Sequence, residues 1–320
     1  MNDSLEVIPT PSRLLGLECF KAGNLWTPPG NRGVFGGQVI AQALMAAIKT
    51  VEGLELHSTH AYFLLPCDSR KSVTYAVERL REGKSYSTRL VHAIQNSETI
   101  FTLTASFSRP PDPTGGKRWQ RDFPENVRSY EESYEDRWAD HINNMTRSSP
   151  TATDYERVAD TEENKAAFLA SNDRVMTAVS GRPQDGPYFS QRAIWLSPHL
   201  DGRPMTPNEV RAMIGYMTDS QAIATPGRTI GLSATSNPRL GMVATIDHTI
   251  HFYPLPPDYD GSQPLLHIME AQVVDLASGR GQMVGRVYTQ SGVLIATTSQ
   301  EGVVRARKEG VKPRREAARL

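Results

Sequence analysis

Two stretches of the chain follow the same pattern, and this duplication is the strongest constraint on the fold. The first stretch runs from Leu56 to Pro66 and the second from Ile246 to Pro256. A helix-like segment precedes each one, and a polar and apolar stretch, a glycine with basic residues and a strand-like run follow it. A solenoid needs three or more short repeats, so two long copies predict two versions of one structural unit. Related halves of this kind can form a site between them.

Each unit is predicted to be one helix followed by an antiparallel sheet, which is an α+β arrangement. The first helix opens at Gly36, after which apolar residues recur at helical spacing. The second begins after Thr206, an N-cap residue with Pro207 at the first helical position and Glu209 at the third. This combination is a capping box. The predicted strands are about 57–65, 71–80, 86–95 and 99–108, then 243–253, 264–275, 281–290 and 293–303.

The chain is therefore divided into an N-terminal unit (1–109), a connector (110–185), a C-terminal unit (186–305) and a basic tail (306–320). The connector opens on a cluster of proline and glycine residues and continues as an acidic, polar stretch with few aliphatic residues. That composition predicts short helices and mobility. The C-terminal unit carries the candidate catalytic residues.

Composition excludes several classes of function. The 320 residues have a formal net charge of zero, which gives no field to attract nucleic acid or an anionic membrane. No apolar run approaches the roughly 20 residues that span a bilayer, so we expect no membrane insertion. The two cysteines form no disulfide framework and no zinc motif, and they favour a reducing compartment. The G-x-S-x-G motif of α/β-hydrolases does not occur.

Paired histidines could suggest a metal site, but strand geometry argues against one. His57 and His60 are three residues apart, as are His248 and His251. Residues three apart in a regular strand point to opposite faces, so neither pair should hold one ion. By the same alternation, the neighbours Asp247 and His248 should not form a catalytic dyad. We expect no metal and no cofactor.

Three polar residues of the second unit are candidates for chemistry. Asp219 is predicted on the second helix, away from its apolar stripe, where it would border a cleft or be a solvated aspartate. Gln300 closes the last predicted strand and would orient a water or satisfy a backbone group. Thr245 lies in a strand-like run, where threonine is ordinary. The residues alone leave these alternatives open.

Several motifs, in order along both halves, resemble the type II acyl-CoA thioesterases. They are Val34–Leu44, His57–Leu64, Ala244–His248, Tyr288–Leu294 and Gln300–Val303. The resemblance extends from about residue 12 to 305, with the connector as the divergent part. It implies a double hotdog fold, in which two long helices are each wrapped by an antiparallel sheet and the sheets join side by side. It also implies acyl-CoA as the substrate, hydrolysed to the free acid and CoA.

The resemblance assigns roles to the three polar residues. In that family an Asp, a Thr and a Gln hold the hydrolytic water, and the matching positions are Asp219, Thr245 and Gln300. A thioester carbonyl is electrophilic and thiolate leaves readily, so a positioned water, a base and an oxyanion stabiliser suffice. The candidate oxyanion site is Gly37 and Gln38 at the start of the first helix, where backbone N–H groups are available.

Two other functions are possible on this fold. A hotdog acyl-CoA hydratase would be expected to carry a Gly-Asp-x-Asn-Pro-type motif with a following His, and the chain has no such segment. A non-catalytic acyl-CoA-binding protein would be expected to lose one of the three polar positions, and all three are present.

The last three residues, Ala318, Arg319 and Leu320, form a variant of the Ser-Lys-Leu peroxisomal address. In a eukaryotic host this predicts a peroxisomal location and an import receptor as partner; otherwise the protein is expected in the cytoplasm. A homo-oligomer, with a dimer favoured, is expected because paired hotdog sheets often associate.

Overall fold

The computed structural model describes residues 2–12, 16–28, 33–112, 116–124, 127, 129, 175–180, 190–198, 205–233 and 236–307. Residues 130–174 of the predicted connector and 308–320 of the predicted tail, including Ala318–Leu320, lie outside them. The helices are α1 (Asn2–Leu5), α2 (Gly36–Ile48), α3 (Pro207–Thr218) and α4 (Ala224–Thr229). The strands are β1 (Val7–Thr10), β2 (Glu18–Ala22), β3 (Glu55–Phe63), β4 (Thr74–Arg81), β5 (Tyr86–Gln95), β6 (Glu98–Ser108), β7 (Val175–Ser180), β8 (Gln191–Pro198), β9 (Leu240–Phe252), β10 (Leu265–Asp275), β11 (Arg280–Thr289) and β12 (Leu294–Ala306).

All the described strands belong to one antiparallel sheet of twelve strands, in the order β1-β2-β4-β5-β6-β3-β9-β12-β11-β10-β8-β7. The two halves join where β3 pairs with β9, with Thr59 opposite Ile250. Buried and less buried residues alternate along β5 and β6, as expected when one face of a sheet packs on a helix. The predicted α+β double hotdog is thus confirmed.

The two long helices lie against each other and against the inner face of the sheet. Residues from Gly37 to Ala47 of α2 are buried. The helix itself carries small and apolar side chains on most of its sides, which is typical of a buried helix. The predicted capping box of α3 is present. The Thr206 hydroxyl accepts from the Glu209 N–H at 3.3 Å, and the Glu209 carboxylate accepts from the Thr206 N–H at 2.8 Å.

The eight predicted strands are present, with bounds that differ from the prediction by at most three residues. Four further strands were not predicted: β1, β2, β7 and β8. Strand β7 lies within the predicted connector and pairs with β8, so the second half of the sheet starts before residue 186. Strands β1 and β7 are the two edges of the sheet, and β2 and β8 lie next to them. Composition alone did not separate β7 from the polar stretch before it.

Corresponding β-bulges occur in the two central strands. The register between β3 and β6 skips His57, and the register between β9 and β12 skips Ile246. The bulges place His57 in correspondence with Ile246. The duplication read from the sequence, which set Leu56 against Ile246, is therefore one residue out of register. A bulge was not visible in the alternation of residue types, because it changes the pairing without changing composition.

Within the described part of the chain, no helix is long and apolar enough to cross a membrane.

Candidate active site

Asp219 lies at the end of α3, at the centre of the candidate site. The helix ends at Thr218, so Asp219 is the C-cap residue and not, as the sequence predicted, a member of the helix. Its side chain is only 9% exposed. The chain then turns at Gln221, which has a φ of 58°. The predicted solvated aspartate is thus excluded, since the carboxylate is buried.

The three polar residues singled out in the sequence meet at this carboxylate. Asp219 Oδ1 accepts a hydrogen bond from the Thr245 hydroxyl at 3.3 Å and from Gln300 Nε2 at 3.1 Å. Thr245 lies on β9, as predicted. Gln300 lies within β12, which continues to Ala306, so the prediction that it closes the last strand is wrong. The strand extends because it pairs with the long β9 beyond the bulge.

Burial makes the Asp219 carboxylate more basic than an ordinary aspartate. Desolvation raises its pKa to about 6. Hydrogen bonds from Gln300, from Thr245 and from the backbone of Gly37 act in the opposite direction, because they stabilise the ionised form. The result is a carboxylate that is ionised at neutral pH and still able to take up a proton.

The start of α2 contacts the same carboxylate from the first half of the chain. A Cβ atom on Gly36 would lie 2.7 Å from Asp219 Oδ2 and 3.1 Å from the Phe63 ring. A Cβ atom on Gly37 would overlap the carbonyl oxygen of Tyr216 on α3. The two glycines therefore allow the backbone of α2 to approach Asp219 closely.

The predicted oxyanion pair is engaged elsewhere. The Gly37 N–H donates to Asp219, and the Gln38 N–H donates to the carbonyl of Phe35 at 3.0 Å. The Gln38 side chain donates to the Asn24 carbonyl at 2.9 Å and accepts from the Trp26 N–H at 2.7 Å. Gln38 thus anchors the N-terminal segment to α2, and the oxyanion role of the pair stays a prediction from the sequence.

A second buried polar group beside Gln300 was missed in the sequence. His248, on β9, is 1% exposed and directly opposite Gln300 in the strand register. Its neighbour Asp247 accepts from the Glu301 N–H at 3.0 Å, and the two neighbours form no dyad. The alternation of residues along β9 only separated His248 from Asp247; the register with β12, which the sequence does not show, places His248 opposite Gln300.

The histidines on the outer face differ from the prediction for a regular strand. The bulge at His57 brings that ring toward the same side as His60, and both rings lie close to His251. Burial, and secondly the nearness of His251, lower the pKa of both. Among the described residues, no group of three or more His, Cys, Asp or Glu side chains could hold a metal ion.

The first unit has no counterpart of this constellation. The two halves can be matched residue by residue from two landmarks. Each long helix ends in a C-cap residue of right-handed helical conformation, and each central strand has one bulge. The positions that correspond to Asp219, Thr245, Gln300 and Gly37 are Lys49, Leu56, Ala105 and Pro207. Leu56 and Ala105 have no polar side-chain atom, and Pro207 has no N–H to donate. Lys49 is exposed and replaces the buried carboxylate with an amine.

Comparison with known proteins gives the same architecture. Residues 24–108 match the family described as the acyl-CoA thioesterase N-terminal domain, and residues 151–304 match the acyl-CoA thioesterase C-terminal domain. Acyl-CoA thioesterase 2 of Haemophilus influenzae is 35% identical over 282 residues, covering 86% of this chain and 89% of the relative. Peroxisomal acyl-coenzyme A thioester hydrolase 1 of Saccharomyces cerevisiae is 37% identical over 82 residues, covering 25% of this chain and 24% of the relative. The crystal structure of an acyl-CoA thioesterase II from Mycobacterium marinum has a TM-score of 0.64 at 22% identity, and covers 98% of this chain and 99% of the solved one.

Two helices wrapped by one continuous sheet, with a buried carboxylate at their junction, define a double hotdog hydrolase. The chain belongs to the type II acyl-CoA thioesterase family. It is an enzyme that hydrolyses acyl-CoA thioesters. The comparisons give no support to the hydratase or to the non-catalytic binding protein considered from the sequence.

Proposed function

We propose that Asp219 is the general base of the hydrolysis and that Thr245 and Gln300 orient it. The observation that carries this proposal is the convergence of the Thr245 hydroxyl and Gln300 Nε2 on one oxygen, Asp219 Oδ1. With Oδ1 occupied, the second oxygen, Oδ2, is the one directed toward Gly36 and Phe63. The proposal places the hydrolytic water at Oδ2, because Thr245 and Gln300 both bind the other oxygen.

The chemistry follows from these positions. Asp219 accepts a proton from the water as its oxygen bonds to the thioester carbonyl carbon, and a tetrahedral intermediate forms. When the intermediate collapses, the carbon–sulfur bond breaks and the proton on Asp219 passes to the leaving thiolate. Because the carbonyl is electrophilic and the thiolate leaves readily, these residues supply the positioned water and the base that the reaction needs. The oxyanion donors stay the pair predicted from the sequence, Gly37 and Gln38.

The roles of Thr245 and Gln300 can be separated from that of Asp219 by substitution. Thr245→Ala and Gln300→Ala should each reduce kcat by about tenfold or more, but less than loss of the base, because they orient the carboxylate without accepting the proton. The double variant should lose far less than the product of the single losses, since both bonds act on one oxygen. Steady-state release of free CoA measures this.

Thr249→Ala is the matched control for that series. Thr249 lies on the same strand, on the outer face, where its hydroxyl contacts His60 at 3.3 Å. Its removal should leave kcat unchanged. Losses in the Thr245→Ala and Gln300→Ala variants that are no greater than in this control would show that the two bonds to Asp219 play no part in turnover.

The address at Ala318–Leu320, with its import receptor, stays a prediction, as does the homodimer. The similarity to the yeast peroxisomal acyl-coenzyme A thioester hydrolase supports a peroxisomal location in a eukaryotic host. A fluorescent reporter that carries the last twelve or so residues should form puncta that coincide with a peroxisome marker, and deletion of Leu320 should leave it diffuse. A diffuse signal from the intact tail would refute the address.

A further inference from the structure

The Gln300 side chain is held at one end only. Its Nε2 donates to Asp219 Oδ1, but its Oε1 is buried and has no hydrogen-bond partner among the described residues. Gln300 has no exposed surface. An amide can rotate by half a turn, and the flipped side chain would turn its oxygen toward the Asp219 carboxylate. A donor to Oε1 would prevent that rotation, and buried amide oxygens normally have such a donor.

His248 is the buried polar residue directly opposite Gln300 in the strand register. It is the register partner of Gln300 across β9 and β12, and both side chains are buried on the inner face of the sheet. Side chains opposite each other in an antiparallel pair lie about 4.5–5.5 Å apart at Cβ. Neither ring nitrogen of His248 has a hydrogen-bond partner within the described residues. A neutral imidazole carries one N–H donor, and Gln300 Oε1 is the matching acceptor.

A second histidine lies on the far side of β12. His267 Nε2 approaches the Thr298 hydroxyl at 3.3 Å, two residues before Gln300. The His267 ring reaches Thr298 across Gly285 of β11, because a Cβ atom on Gly285 would overlap Thr298 Oγ1 and contact His267 Nε2. Burial lowers the pKa of His248 to about 3, with a smaller effect from His267, and burial lowers the pKa of His267 to about 3 as well. Both rings are therefore neutral at physiological pH.

We propose that His248 is a positioning residue for the hydrolysis, whose ring N–H binds Gln300 Oε1 and fixes the amide with its nitrogen toward Asp219. This inference rests on the proposed roles of Asp219 and Gln300. It extends the site by one residue, which acts through Gln300 and does not contact the substrate. It also explains why a histidine is buried at a position of the sheet where an apolar side chain would otherwise be expected.

The test compares His248→Phe, which removes both nitrogens, with His248→Gln, which restores a donor. His248→Phe should lower kcat by about tenfold with KM little changed, because one orienting hydrogen bond is lost. It should also move the acidic limb of the kcat–pH profile to higher pH. The Gln300 bond lowers the pKa of Asp219, so a loosened amide lets that pKa rise. His248→Gln should recover most of kcat and return the acidic limb toward the parent position.

His267→Gln is the matched control. Its ring is equally buried on the same face of the sheet but contacts Thr298 instead of Gln300. We expect no shift of the acidic limb in this variant. If His248→Phe keeps the parent kcat and pH profile, or if His248→Gln recovers nothing, the positioning role is wrong. Asp219→Asn, measured alongside, separates failure of the His248 proposal from failure of the proposed base. An active Asp219→Asn enzyme would overturn the role of Asp219 itself.

A crystal structure of the unmodified enzyme tests the inference independently of folding in the variants. The expected result is a His248 ring nitrogen within hydrogen-bond distance of Gln300 Oε1, or one ordered water that joins the two atoms. A Gln300 oxygen bonded to a different donor, with the His248 ring in apolar contact only, would overturn the proposal.

Discussion

Asp219→Asn is expected to lower turnover at least about a hundredfold while the fold is retained. The amide oxygen can still accept from Thr245 and Gln300, so the local geometry is preserved. What is lost is the ability to take a proton from water. The measurement is free CoA release from a panel of acyl-CoA substrates, at enzyme concentrations high enough to detect the residual rate.

The same substitution should stabilise the protein above neutral pH. Burial raises the pKa of Asp219 in the folded state to about 6, so the folded state binds this proton more tightly than the unfolded chain does. Folding stability therefore falls as pH rises from about 4 through 6, and the cost above pH 6 is about 2–3 kcal/mol. Asparagine has no charge to bury, so the variant should gain that amount at pH 8 and nothing at pH 4. Denaturant unfolding at the two pH values measures the difference.

Asp247→Asn is the control for the effect on turnover. Its carboxylate is on the same strand as Thr245 and accepts from the Glu301 N–H, which an asparagine oxygen can replace. Turnover should stay near that of the parent enzyme. Parent-level hydrolysis by Asp219→Asn would show that the base has been assigned to the wrong residue.

Gly37→Ala is expected to damage the site and the packing of the two long helices together. The new methyl group would overlap the Tyr216 carbonyl oxygen and come within 2.6 Å of the Phe35 ring, so α2 must move away from α3. Overpacking of this kind costs about 1–3 kcal/mol. The movement also lengthens the contact from the Gly37 N–H to Asp219, and turnover should fall at least about tenfold.

Gly227→Ala provides the comparison for this variant. A methyl group there would meet only side-chain carbons, Val304 Cγ1 at 3.2 Å and Leu240 Cδ1 at 3.3 Å, which can shift slightly. It should be folded and active. Thermal unfolding and kcat are measured on both variants; equal behaviour of the two would mean that close approach of α2 is not needed.

The sequence was sufficient for the elements whose residues carry a local signal. The Thr206 capping box marked the start of α3, and residue types with partial alternation gave eight strands. The double hotdog class came from the family resemblance. Asp219, Thr245 and Gln300 required the family resemblance, because each residue type is common at such a position. The structure then brought all three to one carboxylate oxygen.

What the sequence could not give depends on register and on contacts between distant segments. The pairing of His248 with Gln300 follows from the hydrogen-bonded ladder of β9 and β12, which residue types do not specify. The two bulges shift that ladder by one residue. The use of the Gly37 N–H as a donor to Asp219 depends on how α2 packs against α3, which residue types do not specify.

The two halves share one architecture but contribute different groups to the site, so the chain resembles two different subunits joined in one polypeptide. The second unit contributes the three side chains around Oδ1, whereas the first contributes a backbone N–H from α2. At the corresponding end of α3, the Asn208 side chain accepts from the Leu56 N–H at 2.9 Å and donates to the Leu54 carbonyl at 3.0 Å. These two bonds tie α3 to the start of β3. The described residues therefore hold one site of this kind, and an isolated second unit would hold all three proposed catalytic side chains yet lack the amide N–H that the first unit provides.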